Sequence, residues 1–140
     1  MIIDGTNLLM GRLASLAAKK ALLGETIDIV NCEKVVISGN KKAILAKYKR
    51  FREMGEPFHG PFVPRIPHLM LKRTIRGMLP YKQEKGKKAL KRIKCHLGVP
   101  KEFEGKEIST IPEADASKLP NLKRITLGEI SRLLGGMKNE

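Results

Sequence analysis

Apolar and polar positions along the first third of the chain switch between the periods of strand and helix. Met1 to Asp4 is a short apolar run that predicts a strand, and Asp4-Gly5-Thr6-Asn7 supplies turn and helix-cap chemistry. Leu9, Leu13, Leu16 and Ala17 then return at helical spacing until Gly24 stops them. Thr26 to Asn31 and Lys34 to Ile37 are β-branched runs parted by the polar stretch Asn31 to Glu33. Ser38-Gly39-Asn40 predicts the cap of a helix running from Lys41 to Arg52. Strands alternating with helices imply parallel pairing and right-handed crossovers, so the expected fold is a three-layer α/β/α sandwich with the strands buried in the middle.

From Met54 to His68 this rhythm stops. Gly55, Pro57, Gly60, Pro61, Pro64 and Pro67 predict an extended loop with no helix or central strand. Leu71, Ile75, Met78 and Leu79 then form one helical face while Lys72, Arg73 and Arg76 project from the other, and Pro80 ends the element. A further helix is predicted from Gln83 to Arg92, with Ala89, Leu90 and Ile93 on one side and Lys85, Lys88, Lys91 and Arg92 around the rest. Ile93 to Leu97 reads as a last strand, and Met78 and Leu79 read as core. Pro100 to Pro120 looks like an acidic surface connection without a core of its own. It ends in the capping box Thr126-Leu-Gly-Glu129, with Ile125 and Ile130 as a hydrophobic staple, and predicts a short helix to Leu134 closed by Gly135. The division expected is a single domain over 1–140, with an α/β core in 1–100 and a C-terminal extension in 101–140.

Charge changes the picture most. The 17 Lys and Arg between Lys41 and Lys94 face only Glu53, Glu56 and Glu84, an excess that equals the +14 of the whole chain. The other 86 residues carry 11 basic and 11 acidic side chains and balance. A neutral body with one concentrated cationic segment suits a polyanion, because each phosphate it neutralises releases condensed counterions. A wet lysine-rich face usually mixes both signs; here the imbalance runs through two or three helices and the Pro-rich loop. Four Phe, two Tyr and no Trp argue against a single-strand reader built on stacking, and no helix-turn-helix pair, heptad or zinc finger is present to enter a DNA major groove. Structured RNA fits best.

Other chemistries find little support. Gly5 and Gly11, with Arg12 after the second, match neither a dinucleotide fingerprint nor a P-loop. His59, His68, His96, Cys32 and Cys95 lack the paired spacings of a zinc site, and adjacent Cys95 and His96 on a strand would point to opposite faces. The cysteines read as reduced apolar fillers on strands. No metal, cofactor, small-molecule substrate or catalytic residue is expected. The chain also lacks an apolar run near the about 20 residues that span a bilayer, and Met1-Ile-Ile-Asp4 lacks the features of a secretory signal, so no membrane partner is expected.

Thr74-Ile-Arg-Gly-Met-Leu-Pro-Tyr-Lys82, Gly86, Ala89-Leu-Lys-Arg-Ile-Lys94 and Gly98-Val-Pro100 closely resemble the signature of the large-subunit ribosomal protein thirteen family. Gly11-Arg-Leu-Ala-Ser15, Val30-Asn-Cys-Glu-Lys34 and Val36-Ile-Ser-Gly-Asn40 match its N-terminal half in order and spacing, over at least Ile2 to Pro100. His59-Gly-Pro61, the early start at Ile2 and the Ile125 to Gly135 tail resemble the archaeal and eukaryotic branch. Cys32 departs from a common Ala and His96 from a common aromatic or aliphatic residue. The resemblance implies a four-stranded parallel sheet and a structural, cytoplasmic component of the large ribosomal subunit. Such a component binds large-subunit ribosomal RNA, touches neighbouring large-subunit ribosomal proteins, supports assembly and catalyses nothing.

The RNA-binding residues nominated are Lys47, Lys49, Arg50 and Arg52 on the first basic helix, and His59 and Arg65 in the Pro-rich loop. On the following helices they are Lys72, Arg73, Arg76, Gly77, Lys82, Lys85, Gly86, Lys87, Lys88, Lys91 and Arg92. Arg73 and Arg76 offer bidentate forks to phosphates, while Lys82, Lys85, Lys88 and Lys91 act as movable point charges. Gly77 and Gly86 would let backbone approach closely, although a packing contact explains Gly77 equally well. The rival readings are a general DNA-compacting protein and a phosphate-handling enzyme. Removal of everything after Pro120 is expected to spare RNA binding.

Overall fold

The computed structural model describes residues 1–53, 64–116 and 123–135, without the side chain of Arg52. The order of elements is β1 (Ile2–Asp4), α1 (Met10–Leu22), β2 (Ile27–Val30), β3 (Val36–Ser38), α2 (Lys41–Glu53), α3 (Pro67–Gly77), α4 (Glu84–Lys91), β4 (Ile93–Cys95), β5 (Arg124–Thr126) and α5 (Leu127–Leu134). Mixed α/β architecture with parallel strands is as the alternating periods predict.

The strands do not form one sheet of four. β2 lies between β1 and β4, both parallel to it, and β3 pairs antiparallel with β5 in a separate two-stranded sheet. The chain leaves β2 through Asn31, whose backbone is left-handed at φ 56°, and makes a 3-10 turn at Cys32–Lys34 before β3 begins. That turn carries β3 away from the parallel sheet. On the outer side of β1 stands a single parallel bridge to Ser109, whose amide donates to Ile2 O at 2.8 Å and whose carbonyl accepts from Asp4 N at 2.9 Å.

The two faces of the parallel sheet also differ. Ile3, Ile27, Ile29 and Ile93 are fully buried, whereas the alternate positions Ile2 and Asp28 are half-buried and Lys94 is exposed. α1 touches both α3 and α4, and the three helices gather on the buried face, where Leu13, Ala14, Ala17, Leu71 and Ile75 complete the core. On the other face His96 Nε2 meets Asp28 Oδ1 at 3.1 Å, and the buried Phe103 ring stands edge-on to the imidazole. Apolar burial at about 25 cal/mol per Å² concentrates most of the stabilisation under the helices.

Three local expectations change. Leu9, not a residue of Asp4 to Asn7, occupies the start of α1, and it provides no side-chain cap. The polar turn instead locks the end of β1, because Asp4 Oδ1 accepts from the Thr6 amide, the Thr6 hydroxyl and Asn31 Nδ2. Burial opposes ionisation of Asp4, but those hydrogen bonds and Lys34 outweigh it and hold the carboxyl below its usual range. Pro67 and His68 belong to the first turn of α3, where the missing proline N–H costs nothing. Finally, the connection after Pro100 is packed: Phe103, Ile111, Ala114 and Ala116 are buried, and Leu9 N donates to Ala114 O at 2.8 Å.

Candidate nucleic-acid interface

α2 presents most of its length to solvent. Lys41, Lys42, Lys47, Lys49 and Arg50 are exposed, while Ile44, Leu45, Tyr48 and Phe51 are only half-buried. Asn40 Oδ1 accepts from the Lys42 amide at 3.0 Å, the capping expected from Ser38-Gly39-Asn40. Lys47 Nζ lies 5.7 Å from the Phe51 ring centroid, which meets Tyr48 edge-on. Burial pushes the Tyr48 phenol up, so it stays protonated and can donate. Arg52's side chain, His59 and the Pro-rich stretch to Val63 lie outside the described residues.

α3 divides lengthwise. Met70, Leu71 and Ile75 are buried, and Lys72, Arg73 and Arg76 are half-exposed on the remaining side. Arg76 stacks over Tyr81 at 5.0 Å, an arrangement that holds a guanidinium plane in place while leaving its edge N–H groups for an acceptor. Arg65, just before the helix, is exposed. Met78 is 44% exposed, against the core position expected for it, while Leu79 is buried as expected. The helix ends one residue earlier, so the chain turns before Met78 can reach the core face.

α4 surrounds two buried residues, Gly86 and Ala89, with exposed Lys85, Lys87, Lys88 and Lys91, and Lys82 is exposed in the preceding turn. Lys88 and Glu84 form an exposed pair at 3.3 Å, worth little energetically. Two nominated residues have structural duties. A Cβ on Gly86 would lie 1.9 Å from the backbone oxygen of Pro80, so this glycine serves the contact between α4 and the turn before it. Gly77, by contrast, is exposed with nothing within 4 Å of a built Cβ, so it is the glycine of the two that leaves backbone open. Arg92 is half-buried and donates from Nη1 to Ala21 O at 2.9 Å, binding the C-terminal end of α1.

α5 joins these basic elements, which the sequence did not disclose. The Thr126 hydroxyl accepts from the Glu129 amide at 3.2 Å, the half of the expected capping box that forms, and Gly135 closes the helix at φ 84°. Glu129 reaches Lys41 at the start of α2, at 3.4 Å, and the buried Ser131 hydroxyl donates to Arg65 O just before α3. Gly128 lies against the Glu33 carbonyl. The antiparallel register sets Arg124 opposite Ser38 and Lys123 beside Gly39, so both cations stand next to the beginning of the basic segment.

Among the described residues the cysteine and histidine positions do not assemble a reactive centre. Cys32 sits buried in the 3-10 turn, not on a strand, and the Cys95 thiol beside it together with burial pushes its thiol up, away from thiolate chemistry. His68 has a buried Nδ1 without a hydrogen-bond partner, and burial, His96 and Lys72 lower its pKa. No group of three or more His, Cys, Asp or Glu among the described residues could hold a metal. No helix among them is long and apolar enough to cross a membrane.

A family model described as Ribosomal protein L13 matches residues 1–102. The chain is 48% identical over 135 residues to the large ribosomal subunit protein uL13 of Methanosarcina barkeri, with 96% of each chain covered. It is 46% identical to the protein of that name from Methanococcoides burtonii, again over 96% of each chain, and 40% identical to that of Haloarcula marismortui, over 99% of this chain and 92% of the relative. These archaeal relatives extend the match beyond Pro100, through the C-terminal strand and helix. With a family model over most of its length and relatives at this identity over nearly all of it, the chain belongs to the ribosomal protein L13 family.

Proposed function

We propose that this chain is a structural constituent of the large ribosomal subunit in the cytoplasm, held there by large-subunit ribosomal RNA and bordered by neighbouring large-subunit ribosomal proteins, and that it carries out no reaction. The observation that carries the RNA-binding part is the display of the +14 segment: Lys47, Lys49 and Arg50 on α2, and Lys82, Lys85, Lys87, Lys88 and Lys91 around α4, are all exposed. The lysines attract phosphates as mobile point charges, and Arg73 and Arg76 orient them with planar forks. Gly77 lets the RNA backbone come close to the end of α3. His59, which lies outside the described residues, belongs to the same proposed RNA-binding set. Gly86 and Arg92 support it from within the protein.

Binding to large-subunit ribosomal RNA is expected to weaken steeply between about 50 and 200 mM salt, and to survive competition by duplex DNA and unrelated RNA. Equal loss to every competitor would instead favour a DNA-compacting polycation. Arg76→Ala is expected to weaken the RNA complex by about tenfold, the loss of about 1.4 kcal/mol, and to reduce the magnitude of the salt slope by about one. The same variant is expected to slow incorporation into subunits while unfolding at the wild-type temperature. Unchanged affinity and incorporation would remove Arg76 from the interface.

A further inference from the structure

The motif Gly11-Arg-Leu-Ala-Ser15 has no use in that reading, yet α1 presents a charged face of its own. The helix contains no acidic residue. Leu13, Ala14, Ala17, Ala18 and Ala21 bury one side of it in the core, toward α3 and α4. The opposite side turns out Gly11, Arg12, Ser15 and Lys19, positions three, four and seven apart that share one helical face.

This face forms one wall of a cleft of about 460 Å³, whose other wall is Ile111, Glu113 and Ala114. A second cleft, of about 250 Å³, continues past Arg12 to Val36, Ile37 and Ser38. Ser38 is the strand partner of Arg124, which lines a separate cleft with Lys34 and Glu129. Arg12 Nη1 donates to the Glu113 backbone oxygen at 3.1 Å, which fixes the guanidinium without neutralising it. Among the described residues no ion pair involves Arg12, Lys19 or Arg124. The Glu113 side chain is the one carboxylate of the larger cleft.

We propose that the outward face of α1, with Arg12, Ser15 and Lys19, is a second RNA-backbone surface, so that the chain bridges two separate RNA segments. The inference rests on the RNA-binding reading above and adds a surface outside residues 41–94. A protein interface is enriched in aromatic and methionine anchors at its centre; the larger cleft has neither, and its α1 wall is Gly11, Arg12, Ser15, Leu16 and Lys19, small residues between two long cations beside one leucine. That shape admits a sugar–phosphate strand, with the Ser15 hydroxyl as a donor and a cation on either side. Because the buried side of α1 faces α3 and α4, its outward face points away from those helices, and the RNA segment assigned to it here is separate from the one assigned to Arg76 and the α4 lysines.

The test is hydroxyl-radical footprinting of full-length large-subunit ribosomal RNA by the whole protein, together with salt-dependent affinity. Variants are Arg12→Ala with Lys19→Ala, a second pair Arg12→Gln with Lys19→Gln, and Arg76→Ala. Both double variants are expected to lose one patch of protection, to keep the patch that Arg76→Ala weakens, and to lower the magnitude of the salt slope by about two. A wild-type footprint and slope in both double variants would overturn the proposal. So would a wild-type footprint combined with poor incorporation into subunits, which assigns this face to a neighbouring protein. If Arg76→Ala leaves its own patch untouched while the double variants lose theirs, the fault lies with the surface on 41–94 and not with α1.

Discussion

Gly86→Ala is expected to destabilise the fold by about 3 kcal/mol or more, the upper range for overpacking, and to lower the melting temperature by about 10 °C. Helix propensity alone argues the reverse, since alanine is favoured over glycine within a helix by about 1 kcal/mol. Close approach decides the sign. The added carbon would lie 1.9 Å from Pro80 O and 2.8 Å from Tyr81 N, both backbone atoms that cannot swing away as a flexible side chain would. α4 would have to move off the Pro80 turn, carrying Lys85, Lys87, Lys88 and Lys91 with it, so RNA affinity should fall with stability. A thermal melt of the variant checks the prediction; a transition within about 2 °C of the wild type would show that the turn yields freely.

Removing everything after Pro120 is expected to abolish cooperative folding, and RNA binding with it. The sequence suggests that this segment is dispensable, because it carries no obvious chemistry beyond a capping box. In the structure Ile125, Leu127 and Ile130 are at most 2% exposed and belong to the same core as Ile3, Leu13 and Leu71. Burial of three such side chains contributes about 5–9 kcal/mol, against a total stability of about 5–15 kcal/mol for a typical domain. The truncated chain would also leave Val36 to Ser38 without a strand partner and release the contacts at Lys41 and Arg65. A urea titration followed by circular dichroism should show a broad, shallow change. A sharp transition near the full-length midpoint would demonstrate that the extension is an appendage after all.

Much of the architecture is legible from short-range signals. The period-3.6 apolar face of α1, the capping of α2 by Asn40, the division of α3 into core and cationic sides, and the Thr126 cap all rest on residues within four or five positions of one another. What escapes is long-range or ambiguous. β3 and β5 are three residues each and pair across more than 80 positions, a distance at which no local pattern announces a partner. The alternation in Ile27-Asp28-Ile29 and Ile93-Lys94-Cys95 already indicates strands with one wetter face, yet the helix-strand order suggests strands buried on both. Phe103, Ile111, Ala114 and Ala116 are too scattered among turns to signal a packed connection.

At the interface, composition identifies the segment but not the duties inside it. Gly77 and Gly86 are alike in sequence, and only the position of Pro80 O separates open backbone from a packing contact. Arg92 is one more cation in a run of them until its bond to Ala21 O is seen. Arg12 and Lys19 lie in a part of the chain whose charges cancel in sum. Their lack of local compensation emerges only when α1 is laid against its neighbours.

The pairing of β3 with β5 also imposes an order in time. Synthesis proceeds from the N-terminus, so the cationic helices leave the site of translation before residues 124–134 exist to hold Lys41 and Arg65 in place. During that interval the chain is a polycation that any nucleic acid could attract, without the fixed geometry that favours one. Contacts of such long sequence separation form slowly, which lengthens the interval further. The fixed geometry of the cationic elements is therefore completed last, when the final strand enters the fold.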